Sequence, residues 1–168
     1  MSDTATLADH IDQQVDAILR VWKATVERYG NVPDSERLSR RDFLDHVPEL
    51  LDRLADRLRG RPVDTRSTAQ QHGQHRWSQG YDVGEVVIEL GHLRTVLLAD
   101  FFQVARKNGF DLEQVEKISM ALNQVIDQMT SDSISQFHED AKALSQQMLD
   151  AYDERKTAAD NERIKLQT

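Results

Sequence analysis

From Asp111 to Thr168 the chain contains neither proline nor glycine, and its apolar residues keep a helical period almost to the last residue. Such a segment has little choice but to form one long helix, because nothing in it interrupts the i to i−4 hydrogen-bond ladder. Within it Ile134, Phe137, Ala141, Leu144, Met148 and Ala151 step by alternating threes and fours, the pattern of a coiled-coil seam. Arg155, Ala158, Glu162 and Lys165 hold the same register without its hydrophobicity, so the seam covers about three heptads and then weakens. No partner for this seam is evident within one chain, and a parallel homodimer is the expected way to bury it. Upstream, Val115, Ile118, Leu122, Val125 and Met129 keep the same alternation, followed by a jump of five residues to Ile134. The polar run Thr130–Ser133 at this break is expected to change supercoil phase at little cost and to be the point where the helix transmits a change. With no capping glycine, proline or polar tail after it, the helix reads as cut from something longer, with an output domain expected downstream.

Composition narrows the class. In 168 residues, 39% hydrophobic content can fill one modest core, and the 30% of charged residues predict a surface-rich helical protein. No apolar run approaches the roughly 18 residues of a membrane span, and the N-terminus lacks the basic-then-apolar order of a secretory signal. The expected location is the cytoplasm, without a membrane partner. The absence of cysteine excludes disulfides, thiolate catalysis and Cys-based metal sites. A net charge of −8 opposes nucleic-acid binding, and the local exceptions Arg57, Arg59, Arg61 and Arg66 flank a loop and read as solvated.

The rest of the chain also reads as helices. Apolar spacing predicts a first helix from Leu7 to about Tyr29, ended by Gly30 and Pro33. A second is expected from Ser39, with Asp42 completing an imperfect capping box and Phe43, Leu44, Val47, Leu50, Leu51, Leu54 and Leu58 on the buried face. Pro48 must kink that helix or mark a true start at Val47; Gly60 and Pro62 close it. A polar third helix spans about Ser67 to Gln79 and ends at Gly80. Asp82 and Glu85 then cap a fourth helix through about Lys107, stopped by Asn108 and Gly109, and Asp111 caps the last. No stretch alternates with period two for long enough to require a strand.

The stretch HGQHRWSQGYDVGEVVIELGHLRTVLL, from His72 to Leu98, places His72, His75, Arg76 and Arg94 on or beside apolar helix faces. Together with HVPELLDRLADRL, from His46 to Leu58, the part from His72 to Arg94 resembles the N-terminal sensor domain of stressosome co-antagonists of the RsbRD type, a domain also found ahead of some bacterial sensor histidine kinases. The likeness lies in a proline-containing leucine-rich helix, a histidine shortly followed by arginine, a glycine turn, and an acidic helix ending in Leu-Arg. It runs from about Val15 to Phe137. The resemblance implies an all-α, globin-like bundle of about five helices that has lost its haem, working as a homodimer and feeding a long C-terminal helix that continues into a coiled coil. It divides the chain into a sensory input domain, 1–133, and a coiled-coil signalling linker, 134–168, and implies a role in two-component or stress-response signalling without supplying a stimulus. An unidentified small ligand is a further expected partner.

Haem would require a histidine on an apolar wall, and the segment around His72 and His75 is too polar to build one. These two histidines are instead expected to hydrogen-bond neighbouring helices or face solvent. A metal site could draw on His72 with His75, on the Glu89–His92 pair, or on His46 with Glu49, but only one Glu-x-x-His motif has the order that di-iron bundles use. No cofactor is therefore assigned. Arg76 and Arg94 need carboxylate partners if buried, and Asp82, Glu85 and Glu89 can supply them in a clasp that fixes the Gly80 turn, braced by Trp77 and Tyr81. His72, His75, Arg76, Glu89, His92 and Arg94 are thus the candidate ligand site or signalling clasp. Phosphate loops, nucleophile elbows and zinc-protease helices are absent, so no enzymatic activity is expected. Phe137–Asp140 has the His-Glu pair of a phosphoacceptor helix, but Ala141, Lys142 and Ala143 do not continue that pattern, and His138 reads as coil surface. The rival readings are a constitutive dimerisation or scaffold module and a haem- or metal-dependent gas or redox sensor.

Overall fold

The computed structural model describes residues 3–29, 38–44 and 46–165. Six helices account for nearly all of them: α1 (Asp3–Tyr29), α2 (Arg40–Leu44), α3 (Val47–Leu58), α4 (Arg66–Ser78), α5 (Val83–Asn108) and α6 (Leu112–Lys165). No strand occurs among the described residues. Gly30 and Pro33, expected to end the first helix, lie outside them, as does the side chain of Lys165.

Local chemistry explains most of the boundaries. The Ser39 hydroxyl accepts from the Asp42 amide (3.2 Å) and donates to its carboxylate (2.7 Å), starting the single turn α2. Pro48 does not kink a longer helix; it sits in the first turn of α3, where a missing N–H leaves no hydrogen bond unmade. Asp82 and Glu85 close a reciprocal capping box, each side chain accepting the other's amide at 2.9 Å. Asp111 and Gln114 do the same for α6, at 2.8 and 2.7 Å. Gly109, at φ 68°, ends α5 in the left-handed conformation that an L-residue adopts only with strain.

The chain divides into two compact units, Met1–Phe137 and His138–Thr168. In the first, α1 packs against α3 and α5 around Ile11, Trp22, Leu50, Leu54, Leu90 and Phe101, all buried. The second unit consists of helix whose described side chains are almost all exposed. Phe137 is buried within the first unit, whereas Leu144 and Met148 are 45% and 67% exposed.

Helix α4 does not follow hydrophobic patterning. It buries Thr68, Ala69, His72, Gly73 and Arg76, a set containing one apolar side chain, so polar contacts and close backbone approach must position it.

Candidate functional site

Arg76 and Glu89, one on α4 and the other on α5, are both fully buried. The guanidinium grips the carboxylate through Nε (2.9 Å to Oε2) and Nη2 (2.6 Å to Oε1). Its remaining N–H groups donate to the Phe43 carbonyl (2.6 Å), the Asp42 carbonyl (3.3 Å) and the Gln79 side chain (2.7 Å). One arginine thus satisfies two carbonyls at the end of α2, whose short helix leaves them without intrahelical partners. Its charged plane lies over the Tyr81 and Phe43 rings, 5.0 and 5.5 Å from their centroids. Trp22 on α1 donates to the Glu89 carbonyl at 3.0 Å and packs on Phe43. Four helices therefore converge on this ion pair. A buried guanidinium whose donors all meet fixed acceptors needs no water to satisfy it.

His72, one turn before Arg76 on α4, is fully buried, and neither ring nitrogen makes a hydrogen bond. Its Nε2 stands 3.8 Å from Glu89 Oε1, a carboxylate already committed to Arg76. Burial, and then the positive charge of Arg76 with smaller effects from His46 and His75, holds its pKa well below the usual histidine value. His72 is therefore neutral, and it neither bonds a neighbouring helix nor faces solvent, contrary to the sequence expectation. The ring of half-buried His75 lies 5.4 Å from that of His46, which precedes α3. Glu49 accepts from Thr68 of α4 (3.2 Å) and from Arg53.

Two candidates fall outside the cluster. Arg94 is not buried and does not meet Asp82, Glu85 or Glu89; its side chain, 34% exposed, pairs with Asp127 on α6. The reason is rotational: Arg94 is five residues beyond Glu89 on α5, which turns it away from the Arg76 face. His92 is half-buried on α5. Among the described residues no group of three His, Asp or Glu side chains could hold a metal ion, so neither the Glu89–His92 pair nor His46 with Glu49 is built into a metal site.

The adjoining face of α4 meets α6. Ser133 is fully buried and donates its hydroxyl to the Ala69 carbonyl at 2.7 Å. At Gly73 a Cβ would lie 2.0 Å from the Ser133 carbonyl oxygen, so only glycine permits this approach. One turn further, Trp77 meets Phe137 edge to face, with ring centroids 5.1 Å apart. Ala69, Gly73 and Trp77, spaced by four, thus clamp Ser133 and Phe137, while His72, Arg76 and Gln79 face the ion pair. Gly73 and Gln79 were not singled out from the sequence; a lone glycine inside a helical stretch was the available signal for the first.

Residues 11–163 match the family described as the RsbT co-antagonist protein rsbRD N-terminal domain. The chain belongs to this family. The RsbRD N-terminal domain is a regulatory domain of stress signalling, and both stretches that carried the resemblance, His46–Leu58 and His72–Arg94, fall inside the matched region together with the whole cluster. Neither a curated protein nor a solved structure matches the chain. No helix among the described residues is long and apolar enough to cross a membrane.

Proposed function

We propose that this RsbRD-type domain is a cytoplasmic, non-catalytic sensory input domain of a bacterial stressosome-type regulator, globin-like in its helical arrangement. In this reading it works as a homodimer and passes a change in its bundle along α6 to an output module. Membership of the family supports the regulatory role. The observation that carries the mechanism is the two-sided engagement of α4: one face holds the buried Arg76–Glu89 pair with His72, the other holds Ser133 and Phe137 of α6. A shift of α4 that follows the ion pair moves the segment it clamps, because packed helices exchange between discrete arrangements rather than deform smoothly. An unidentified ligand would act by favouring one of these arrangements. Signalling starts from Ser133 and Phe137 as packed anchors, not from a loose TSDS break. The dimer contact of the linker is assigned to Ala141, Leu144, Met148 and Ala151, with Phe137 withdrawn into the bundle and Ile134 half-buried.

The test is a fusion of residues 1–168 to a reporter kinase in the same heptad phase. Gly73→Ala, which forces α4 and α6 apart, is expected to fix the reporter in one output state. Inserting residues singly after Ala151 is expected to alternate activity with a period near seven. Output that ignores both changes means that the helix only tethers, and the constitutive scaffold reading replaces this one.

A further inference from the structure

Arg57, Arg59, Arg61 and Arg66 crowd the passage from α3 to α4, and their partners divide them into two pairs. Arg59 is engaged by Asp9 and Asp12, and Arg61 by Asp56. Arg57 is exposed and has no ion-pair or hydrogen-bond partner among the described residues. Arg66, its side chain 71% exposed, comes no nearer than 3.9 Å to Asp132. Both of these arginines line a cleft of about 300 Å³ between the end of α3, the first turn of α4 and α6, where Gln128 and Asp132 form the α6 side.

Asp132 is the unusual member of this cleft. It is 7% exposed, yet among the described residues its carboxylate receives a single hydrogen bond, from the Gln128 side-chain amide to Oδ2 at 3.1 Å. Oδ1 faces the Arg66 Nε at a separation too long for a hydrogen bond. A carboxylate offers about four acceptor sites, and leaving them unmet in a buried position costs desolvation without return. Asp132 therefore has acceptor capacity for donors from outside the chain.

We propose that this cleft binds a free aliphatic α-amino acid, with its ammonium on Asp132 and its carboxylate on Arg66 and Arg57. The charges select that class. Asp64 and Asp132 line the cleft together with the two arginines, so a simple anion meets two carboxylates and a simple cation meets two guanidiniums. A molecule carrying both charges side by side finds a partner for each. The N-terminus of α4 adds no free anion site, because Asp64 already accepts from the Arg66 amide at 2.9 Å. Of the three donors of an ammonium, Asp132 Oδ1 accepts one and the Gln128 side-chain oxygen a second, while Gln128 keeps its own amide on Oδ2. A guanidinium holds a carboxylate through two parallel hydrogen bonds. Half-buried Val63 and Val125 supply an apolar wall for a short side chain. The volume lies at the small end of the range for ligand sites, about 300–1,000 Å³.

The cleft lies where α4 and α6 join. Arg66 opens α4, and Asp132 precedes Ser133, whose hydroxyl holds the Ala69 carbonyl. A ligand bridging Arg66 and Asp132 ties the first turn of α4 to α6 and favours the clamped arrangement; this consequence, unlike the binding itself, rests on the proposed relay along α6.

Thermal shift and titration calorimetry on the full chain, with L-alanine, L-valine and L-leucine as probes, test the binding. At least one is expected to raise the melting temperature saturably, and its N-acetyl derivative and its amide, each lacking one charge, to bind at least about tenfold more weakly. In Asp132→Asn the amino acid and its N-acetyl derivative should bind equally, and in Arg57→Gln with Arg66→Gln the amino acid and its amide should, since the partner of the missing charge is gone. A merely structural role would weaken all of these ligands alike and leave their ratios unchanged, which overturns the proposal. So does the absence of a saturable response to all three amino acids, a derivative that binds the parent protein as well as the amino acid does, or saturable binding of inorganic phosphate, magnesium or glucose in their place. The comparison of derivatives needs no variant and stands if a substitution prevents folding. The reporter fusion keeps the two readings apart: binding without a change in output retains the site and removes the relay, whereas output altered by Gly73→Ala with no amino acid bound retains the relay and removes the site.

Discussion

Arg76 and Arg94 look alike in the sequence, each a cation near an acidic helix, yet their surroundings assign them opposite weights. Arg76 is enclosed with every donor matched, so Arg76→Met leaves Glu89 as an uncompensated buried carboxylate and should destabilise the protein by about 3–5 kcal/mol in urea unfolding. Arg94 and Asp127 are partly solvated, and Arg94→Ala should cost no more than about 1 kcal/mol. Equal losses for the two would contradict this placement. His72 gives the cluster a pH dependence of predictable sign. Its folded pKa is depressed, so below about pH 6.5 the unfolded chain takes up a proton that the folded chain refuses, and stability falls as the pH drops from there toward the folded pKa. Above that window the residue contributes no slope. His72→Leu should remove up to about 1.4 kcal/mol per pH unit from the slope of stability between pH 6.5 and 5. An unchanged slope would mean that His72 is protonated or solvated in the fold.

At the scale of elements, caps were the most legible part of the sequence. Asp82 with Glu85, Asp111 with its helix, and Gly109 were all readable, because capping is decided within four residues. Pro48 left two alternatives open, and the structure takes the start at Val47. The carboxylate partner of Arg76 was also within reach, since Glu89 was among the few acids near it in sequence. The neighbours of α4 were not. A helix that buries Thr68, His72, Gly73 and Arg76 has no hydrophobic stripe to read, and its contact with Ser133 joins residues 60 apart. For the same reason Thr130–Ser133 read as a pliable break, although Ser133 is fixed to Ala69. Gly73→Ala should therefore be one of the more damaging small substitutions in the chain, costing about 1–3 kcal/mol by overpacking against the Ser133 backbone. Gly91→Ala, in open space on α5, should instead raise the thermal stability of the isolated domain. The melting temperatures of the two variants, moving in opposite directions, check this pair.

At the scale of the whole molecule, the proposed coupling runs from the Arg76–Glu89 pair between α4 and α5, through α4, to the segment of α6 that packs on it. Glu89→Gln keeps the shape of the carboxylate and removes its charge, loosening the grip on Arg76 without opening a cavity. Hydrogen exchange followed residue by residue in this variant is the most direct test, since local opening reports how firmly each helix is held. Exchange accelerated more in α6 from Thr130 to Phe137 than in the α1 amides from Leu7 to Trp22, beyond the loss that global destabilisation imposes on both, is the predicted result. Acceleration spread evenly over all helices, or none in α6, would contradict the coupling.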